Sequence, residues 1–392
     1  METTSSLLKV FAVCAPGLEP FTSQELQRLG ISVKTTAASP GNGSGEEDGG
    51  IEFNASLQDI FRANLHLRTA SRILVRLGEF SSASFSELRA KSSRLAWEKY
   101  LRPGRPVSFH VTCRKSRLYH SDAVAERIQG AIQDHLGKAP VIIKGNQENS
   151  EMQSQLIIVR LVNDVCTISV DSSGELLHRR GYRLETAKAP LRETLAAGLL
   201  LASGWDGVSP LIDPFCGSGT IPIEAAMISR HIPPGLKRRF SFMKWPGFSQ
   251  TEWQEILASA QADTRPVTAQ IMASDRDAGA IQIAQSNAER AGVTQDIQFS
   301  CRAVSAIEPP PLPGWIVTNP PYGVRVSPSH DLRNLYAQMG KTFKSKCPEW
   351  NFGILCSDPK LLGNTGLKYE NFLNLVNGGI EVKLALGQVK NG

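Results

Sequence analysis

The period of apolar positions changes along the chain, and those changes outline its elements. Residues 8–14 (LKVFAVC) read as a strand. Pro16-Gly17-Leu18 turns the chain into an amphipathic helix at about 19–29, closed by Gly30. Residues 39–50 form a loop rich in Gly, Ser and acid. A strand from Gly50 to Phe53 follows, then a helix at about 56–72 with Leu57, Ile60, Phe61, Leu65 and Leu67, then a strand at 73–80. This order predicts a small α/β sandwich of ferredoxin type over 1–80. A second unit spans 81–172. It holds a helix at 84–100 (Phe85, Leu88, Leu95, Trp97), an alternating strand at 106–113, and a basic turn, Arg114-Lys115-Ser116-Arg117. A helix at 121–136, a strand at 140–144, an irregular loop at 145–153 and strands at 155–162 and 165–171 complete it.

From Arg179 the pattern becomes strand and helix in alternation. A basic connector (His178 to Arg183) leads to Pro190, which suits a helix N1 position, and an apolar helix to about Ser203. Strand 209–213, helix 219–230, strand 269–274, helix 277–291, strands 296–301 and 314–318, and helix 331–345 follow. This alternation predicts a parallel, doubly wound sheet over 179–392. Residues 231–267 interrupt it with a basic, aromatic insertion.

Composition narrows the class. With 41% hydrophobic and 20% charged residues, the 392-residue chain can bury full cores, which excludes disorder as its main state. No apolar run reaches the ~18 residues of a membrane span. Seven cysteines, an odd number with no C-x-x-C pair, and scattered histidines argue against a disulfide framework and against a metal site. A reducing compartment is expected, cytoplasmic or organellar (chloroplast or mitochondrion). Domain-like sequence begins by residue 9, so no secretory signal is expected. The formal charge of +6 hides an uneven distribution: residues 1–60 carry −5, 61–127 carry +9, 128–178 carry −3 and 179–392 carry +5. The basic block reads either as a phosphate-binding surface or as solvated helix faces.

Two motifs carry chemistry. In Asp213-Pro214-Phe215-Cys216-Gly217-Ser218-Gly219-Thr220, a strand meets a helix through a glycine turn. No Gly-Lys-Ser/Thr follows, so it is not a P-loop. A third glycine is missing, so it is a poor dinucleotide fingerprint. An acid at the strand end beside free helix N–H groups suits a ligand with an ammonium and a carboxylate, as in S-adenosyl-L-methionine. Asp275 ends the next strand, where an acid commonly takes ribose hydroxyls, and Asp277 caps the following helix. Cys216 lies in this turn and reads as a packing residue, not a nucleophile. In the second motif, an apolar strand runs into Asn319-Pro320-Pro321-Tyr322. An exocyclic amino group on a base is conjugated and barely nucleophilic. The Asn319 side-chain oxygen and the Pro320 carbonyl can accept its two protons and turn its lone pair toward a methyl donor, while Tyr322 offers a stacking face. Within the insertion, Arg230 to Pro246 has five basic residues and no acid, among Phe240, Phe242 and Trp245. It reads either as an RNA contact or as a lid with its aromatics in a core.

The chain resembles the THUMP-domain RNA guanine-N2 methyltransferases, most of all the bacterial type acting on large-subunit ribosomal RNA. Beside the two motifs, the resemblance rests on Thr69 to Glu79, Arg180-Gly181-Tyr182-Arg183, Ala189 to Ala197 and Gly204-Trp205. It implies a ferredoxin-like subdomain (1–80), a THUMP RNA-binding domain (81–172) and a Rossmann-like class I methyltransferase domain (179–392). Asp213, Phe215, Gly217, Ser218, Gly219, Thr220 and Asp275 would hold S-adenosyl-L-methionine; Asn319, Pro320, Pro321 and Tyr322 would hold the target guanine. Arg114, Lys115, Arg117, Arg180, Arg183, Lys237, Arg238 and Arg239 would meet RNA. The protein is expected to be a monomer that needs no metal and no membrane. Two features depart from the family. Ala303 stands where an acid often takes the adenine amino group, and one methyltransferase domain is expected here where longer members carry two. A transfer RNA target, another N-methylation (DNA adenine or protein glutamine) and a non-catalytic RNA-binding role are the alternatives.

Overall fold

The computed structural model describes residues 7–33, 49–143, 154–183, 191–322 and 332–390. The expected loop at 145–153 and the helix start at Pro190 lie outside them. Alternate burial along β1 (Leu8–Cys14) makes it a strand with one face on the core. It pairs with β2 (Gly50–Ala55) and with β3 (Ala70–Ser81). With β4 (Val107–Arg114), β5 (Gln155–Val162) and β6 (Val165–Asp171), these strands form one six-stranded sheet in the order β2-β1-β3-β6-β5-β4. The first two sequence units therefore share a sheet, joined where β3 lies antiparallel to β6 from Leu74–Asp171 to Ser81–Val165. Helices α1 (Glu19–Arg28), α2 (Leu57–His66), α3 (Phe85–Ser92) and α4 (Ser121–Leu136) belong to this half.

Two helices end earlier than their periodicity suggests. α2 opens on a capping box between Ser56 and Asp59 but stops at His66. Ala70 and Arg72, expected in that helix, instead pair with Cys14 and Val13 of β1. α3 stops at Ser92, because the Trp97 indole donates to the Ser92 carbonyl (2.8 Å) and folds the chain into a short 3-10 turn. The strand expected at 140–144 reduces to a single bridge between Ile142 and Val107.

The second sheet holds β7 (Leu211–Asp213), β8 (Ile271–Asp275), β9 (Ile297–Cys301), β10 (Trp315–Thr318) and β11 (Asn351–Cys356), all parallel. A hairpin of β12 (Asn371–Asn377) and β13 (Ile380–Gln388) extends it antiparallel through β11, giving the order β12-β13-β11-β10-β7-β8-β9. Its helices are α5 (Glu193–Ala202), α6 (Thr220–Ser229), α7 (Gln250–Ala262), α8 (Ala278–Ala291), α9 (Leu332–Lys346) and α10 (Pro359–Asn364). The strand order reverses between β7 and β10. That switch point is where doubly wound sheets bind ligands.

The insertion, which contains α7, decides how the two halves meet. Phe240, Phe242, Trp245 and Trp253 are buried in the core of the first half, not at an RNA surface. Phe242 stacks on Phe61 of α2 at 4.3 Å between ring centroids, and Trp253 packs edge-on to it at 5.4 Å. Trp245 meets Tyr100 edge-on at 4.9 Å. The polar atoms brought inside are paired: Gln155 Oε1 of β5 accepts from Ser241 Oγ (3.0 Å) and Trp245 Nε1 (2.9 Å). Gly235 gives its N–H to the Leu65 carbonyl at 2.9 Å, and a Cβ there would lie 2.9 Å from backbone atoms of Asn64 and Leu65. Phe242→Ala is therefore expected to cost about 3–5 kcal/mol. Calorimetry should show the lowered melting temperature, with the single transition of the wild type splitting as the shared core is lost.

Candidate active site

β7 and β10 are parallel neighbours in register (Leu211–Trp315, Ile212–Ile316), so their carboxyl ends stand side by side. At those ends Thr318 Oγ1 donates to Asp213 Oδ1 at 2.7 Å, and the Phe215 N–H donates to the same oxygen at 3.2 Å. Asp213 is only 1% exposed. Burial raises its carboxyl; the hydrogen bonds from Thr318 and Phe215 oppose the rise, and the charge of Asp275 adds to it, leaving it at about 7. Asp275, at the end of β8, accepts from the Gly217 N–H through Oδ2 (3.1 Å) and from the Asp277 N–H through Oδ1 (3.0 Å). It thus ties the glycine turn to β8. Asp277 caps α8 through the Gly279 N–H at 2.8 Å, as the sequence suggested.

The two glycines serve different ends. Gly217 has φ +52°, and a Cβ there would meet nothing within 4 Å, so its backbone faces open space. Gly219, at φ +84°, would place a Cβ 2.9 Å from Ala284 Cβ of α8. Its smallness serves helix packing against α8. Gly219 is the N-cap of α6 with no side-chain cap. The first turn of that helix, opened by buried Thr220, therefore offers N–H groups to an anion. Ser218 is buried, and its carbonyl accepts from Asn287 Nδ2 at 3.0 Å. Phe215 is half-buried against the core beneath β10 and α9. Cys216 is buried, and burial with the charges of Asp213 and Asp275 pushes its thiol well up, consistent with packing and not attack.

Asn319 follows Thr318 directly, and its Oδ1 is buried without a hydrogen-bond partner among the described residues. Buried acceptors are rarely left so. Pro320 is buried, while Pro321 and Tyr322 are half-buried. The turn is braced from behind. Tyr336 of α9, fully buried, donates to the Pro321 carbonyl at 3.4 Å, and Asn377 of β12 donates to Tyr322 Oη at 3.3 Å. Sequence reasoning missed these supports. Thr318 carried a signal, a polar residue closing the apolar strand Trp315-Ile316-Val317. Tyr336 and Asn377 carried none, because only tertiary packing brings them to the turn.

The basic residues divide. Lys115 and Arg117 are exposed on the turn after β4, beside Tyr119, which is 68% exposed; Arg117 pairs with Asp164 at 3.6 Å. Arg114 is half-buried, and Arg239 is exposed. Lys237 is exposed but donates to the Arg290 carbonyl at 2.6 Å. Arg180, Arg183 and Arg238 are not at the surface as expected. Arg180 is buried, bonded to Glu224 (3.4 Å) and to the Leu177 and Arg68 carbonyls. Arg183 pairs with Glu193 at 2.9 Å. Arg238 donates to the Glu175, Leu176 and Arg179 carbonyls. Arg180 ties Arg68 of the first half to Glu224 of the second, Arg238 holds the connector at 175–179, and Arg183 is held within the second half, so these guanidinium groups are engaged inside the protein.

Comparison with known proteins agrees with this architecture. Residues 9–74 match the RlmL ferredoxin-like domain, 82–171 the THUMP domain and 180–382 the RMKL-like methyltransferase domain. The ribosomal RNA large subunit methyltransferase K/L of Methylococcus capsulatus is 33% identical over 389 residues, 96% of this chain and 50% of that protein. The protein of the same name from Psychromonas ingrahamii is 34% identical over 389 residues, with the same coverage. The chain thus spans about half the length of the curated relatives it matches. A solved structure assigned by name to the methyltransferases and complexed with SAH is 29% identical, with a TM-score of 0.85 and 99% of each chain covered. On these matches the chain belongs to the RMKL-like methyltransferase family, with ferredoxin-like and THUMP domains in its N-terminal half.

Proposed function

We propose that the chain methylates the N2 amino group of a guanine in large-subunit ribosomal RNA, with S-adenosyl-L-methionine as donor. The observation that carries this reading is the buried, unpartnered Oδ1 of Asn319, beside the acid and the glycine turn at the end of β7. The names of the half-matched relatives supply the RNA class, and the SAH-bound structure supports the donor.

The residues present fit that cofactor. Gly217 leaves room for close backbone approach, and the uncapped N-terminus of α6 suits a carboxylate. Asp213, lifted by burial and then by the charge of Asp275, suits a cationic group at the end of β7. When bound, the cofactor supplies an electrophilic methyl group. Asp213 would hold its ammonium and Asp275 its ribose, with Phe215, Ser218 and Thr220 shaping the pocket. Asn319 Oδ1 and the Pro320 carbonyl would accept the two amino protons of the guanine and draw the nitrogen out of conjugation. Tyr336 and Asn377 hold this turn in place before the base arrives, and preorganisation of that kind lowers the barrier. Tyr322 would stack on the flipped base.

Purified protein, cofactor and unmodified ribosomal RNA should yield N2-methylguanosine by mass spectrometry. Asn319→Ala should lower the rate at least a hundredfold while cofactor binding persists; equal rates would sink the mechanism. A second test uses pH. The Asp213 carboxyl stands above its ordinary value, so the stability it contributes is full below about pH 4 and is lost as pH rises through about 7. Asp213→Asn should therefore raise the melting temperature of the ligand-free protein more at pH 8 than at pH 4. Cofactor binding has the opposite sign, because it needs the ionised acid. Calorimetry should find wild-type affinity roughly tenfold or more weaker at pH 5.5 than at pH 8; equal affinity would remove Asp213 from the site.

A further inference from the structure

The seam between the halves opens into a cavity of about 590 Å³. That volume lies in the range of ligand clefts, roughly 300–1,000 Å³. One wall is the loop before β4, with Arg102 and Arg105; the other is the insertion, with Lys244, Trp245, Pro246 and Phe248. Arg105 crosses the seam, donating to the Lys244 carbonyl at 3.0 Å and to the Tyr100 carbonyl at 3.5 Å. Its guanidinium is therefore positioned before any ligand arrives. The cations crowd one another. Burial and then Arg102 lower the Arg105 guanidinium to about 10, and burial, Arg105 and Arg239 lower the Lys244 amine. Lys138 joins them, its side chain running over Gly104 on the cavity wall. Prolines 103, 106 and 246 and the rings of Trp245 and Phe248 make the rest of the lining apolar.

Arg102, Arg239 and Lys244 are exposed around this opening, so the seam presents positive charge to solvent. A cationic rim around a floor of prolines and the half-buried Phe248 ring suits single-stranded nucleic acid, with phosphates at the rim and a base against Phe248. Arg239 belongs to this cluster, while Arg114 to Arg117 lie at the other end of β4. We infer that the cavity between Arg102, Arg105 and Lys244 binds an unpaired, phosphate-bearing segment of the RNA substrate, away from the methylated base. The inference rests on the reading of the chain as an RNA methyltransferase. It adds that the site exists only when the halves are docked, since each half supplies one wall.

The test uses the full chain and a ribosomal RNA transcript, with filter binding between 50 and 200 mM salt. Arg102→Glu/Lys244→Glu should weaken RNA binding tenfold or more and reduce the slope of log K against log salt by about 2. Its KM for RNA should rise with kcat held, and its melting temperature and cofactor affinity should match the wild type. Arg102→Lys/Lys244→Arg should restore binding. If wild type binds RNA with steep salt dependence and the charge-reversed variant matches it, the cavity is no RNA site, and the methyl-transfer reading stands. If wild type neither binds nor methylates ribosomal RNA, the functional reading itself fails, and the cavity's role with it.

Discussion

Phe242 lies between Phe61 of one half of the molecule and Trp253 of its own insertion, and this stack determines how the chain works as a unit. Two sheets joined by a connector alone would move freely, because interfaces between domains are usually small and polar. Here the insertion places four large aromatic side chains in the other half's core, and Gln155 satisfies the polar atoms they bring with them. The interface has the character of a domain interior. Any surface on the first half therefore keeps a fixed distance from the Asn319 turn, as an enzyme needs if it reads RNA in one place and modifies it in another.

The same constraint changes the meaning of the charge pattern. A block of +9 suggests an open phosphate track, yet several of its arginines lie inside. Arg72 pairs with buried Asp171 at 2.8 Å, and Arg68 reaches across the seam to the Met227 and Ile232 carbonyls and toward Glu224. Arg180 meets Glu224 from the connector. Removing one partner of such a cluster leaves a buried charge uncompensated, which costs far more than a surface pair contributes. The exposed positive field is thus narrower than a count implies. It includes the turn after β4 and the seam, where Lys115, Arg117 and Arg102 are exposed.

What the sequence disclosed follows from the range of each interaction. The strand–turn–helix at Asp213 and the Asn319 turn were legible because their chemistry sits in consecutive residues. Most strands of both sheets were legible because period-2 and continuous apolar runs are local signals. The insertion was ambiguous in principle: aromatic and basic residues in alternation suit RNA and a core equally, and only the presence of Phe61 and Tyr100 decides between them. The basic connector misled for the same reason, since nothing near Arg180 in sequence foretells Glu224. The hairpin of β12 and β13 went unread because its burial alternates weakly, yet it supplies Asn377 to the proposed base-holding turn.

The two motifs lie about a hundred residues apart in sequence and a single hydrogen bond apart in space. Thr318 ends the strand that leads into Asn319, and its hydroxyl is held by Asp213 at 2.7 Å with no exposure to water. Hydrogen bonds to an ionised acceptor are roughly twice as strong as neutral ones. The grip on β10 therefore tightens when Asp213 carries its charge, and its carboxyl stands near the pH where that charge is in balance. A cation held at the end of β7 would settle the balance toward the charged form and stiffen the start of the Asn319 turn with it. The end of β7 and the end of β10 are in this sense one site, and the parallel register of the two strands makes them so.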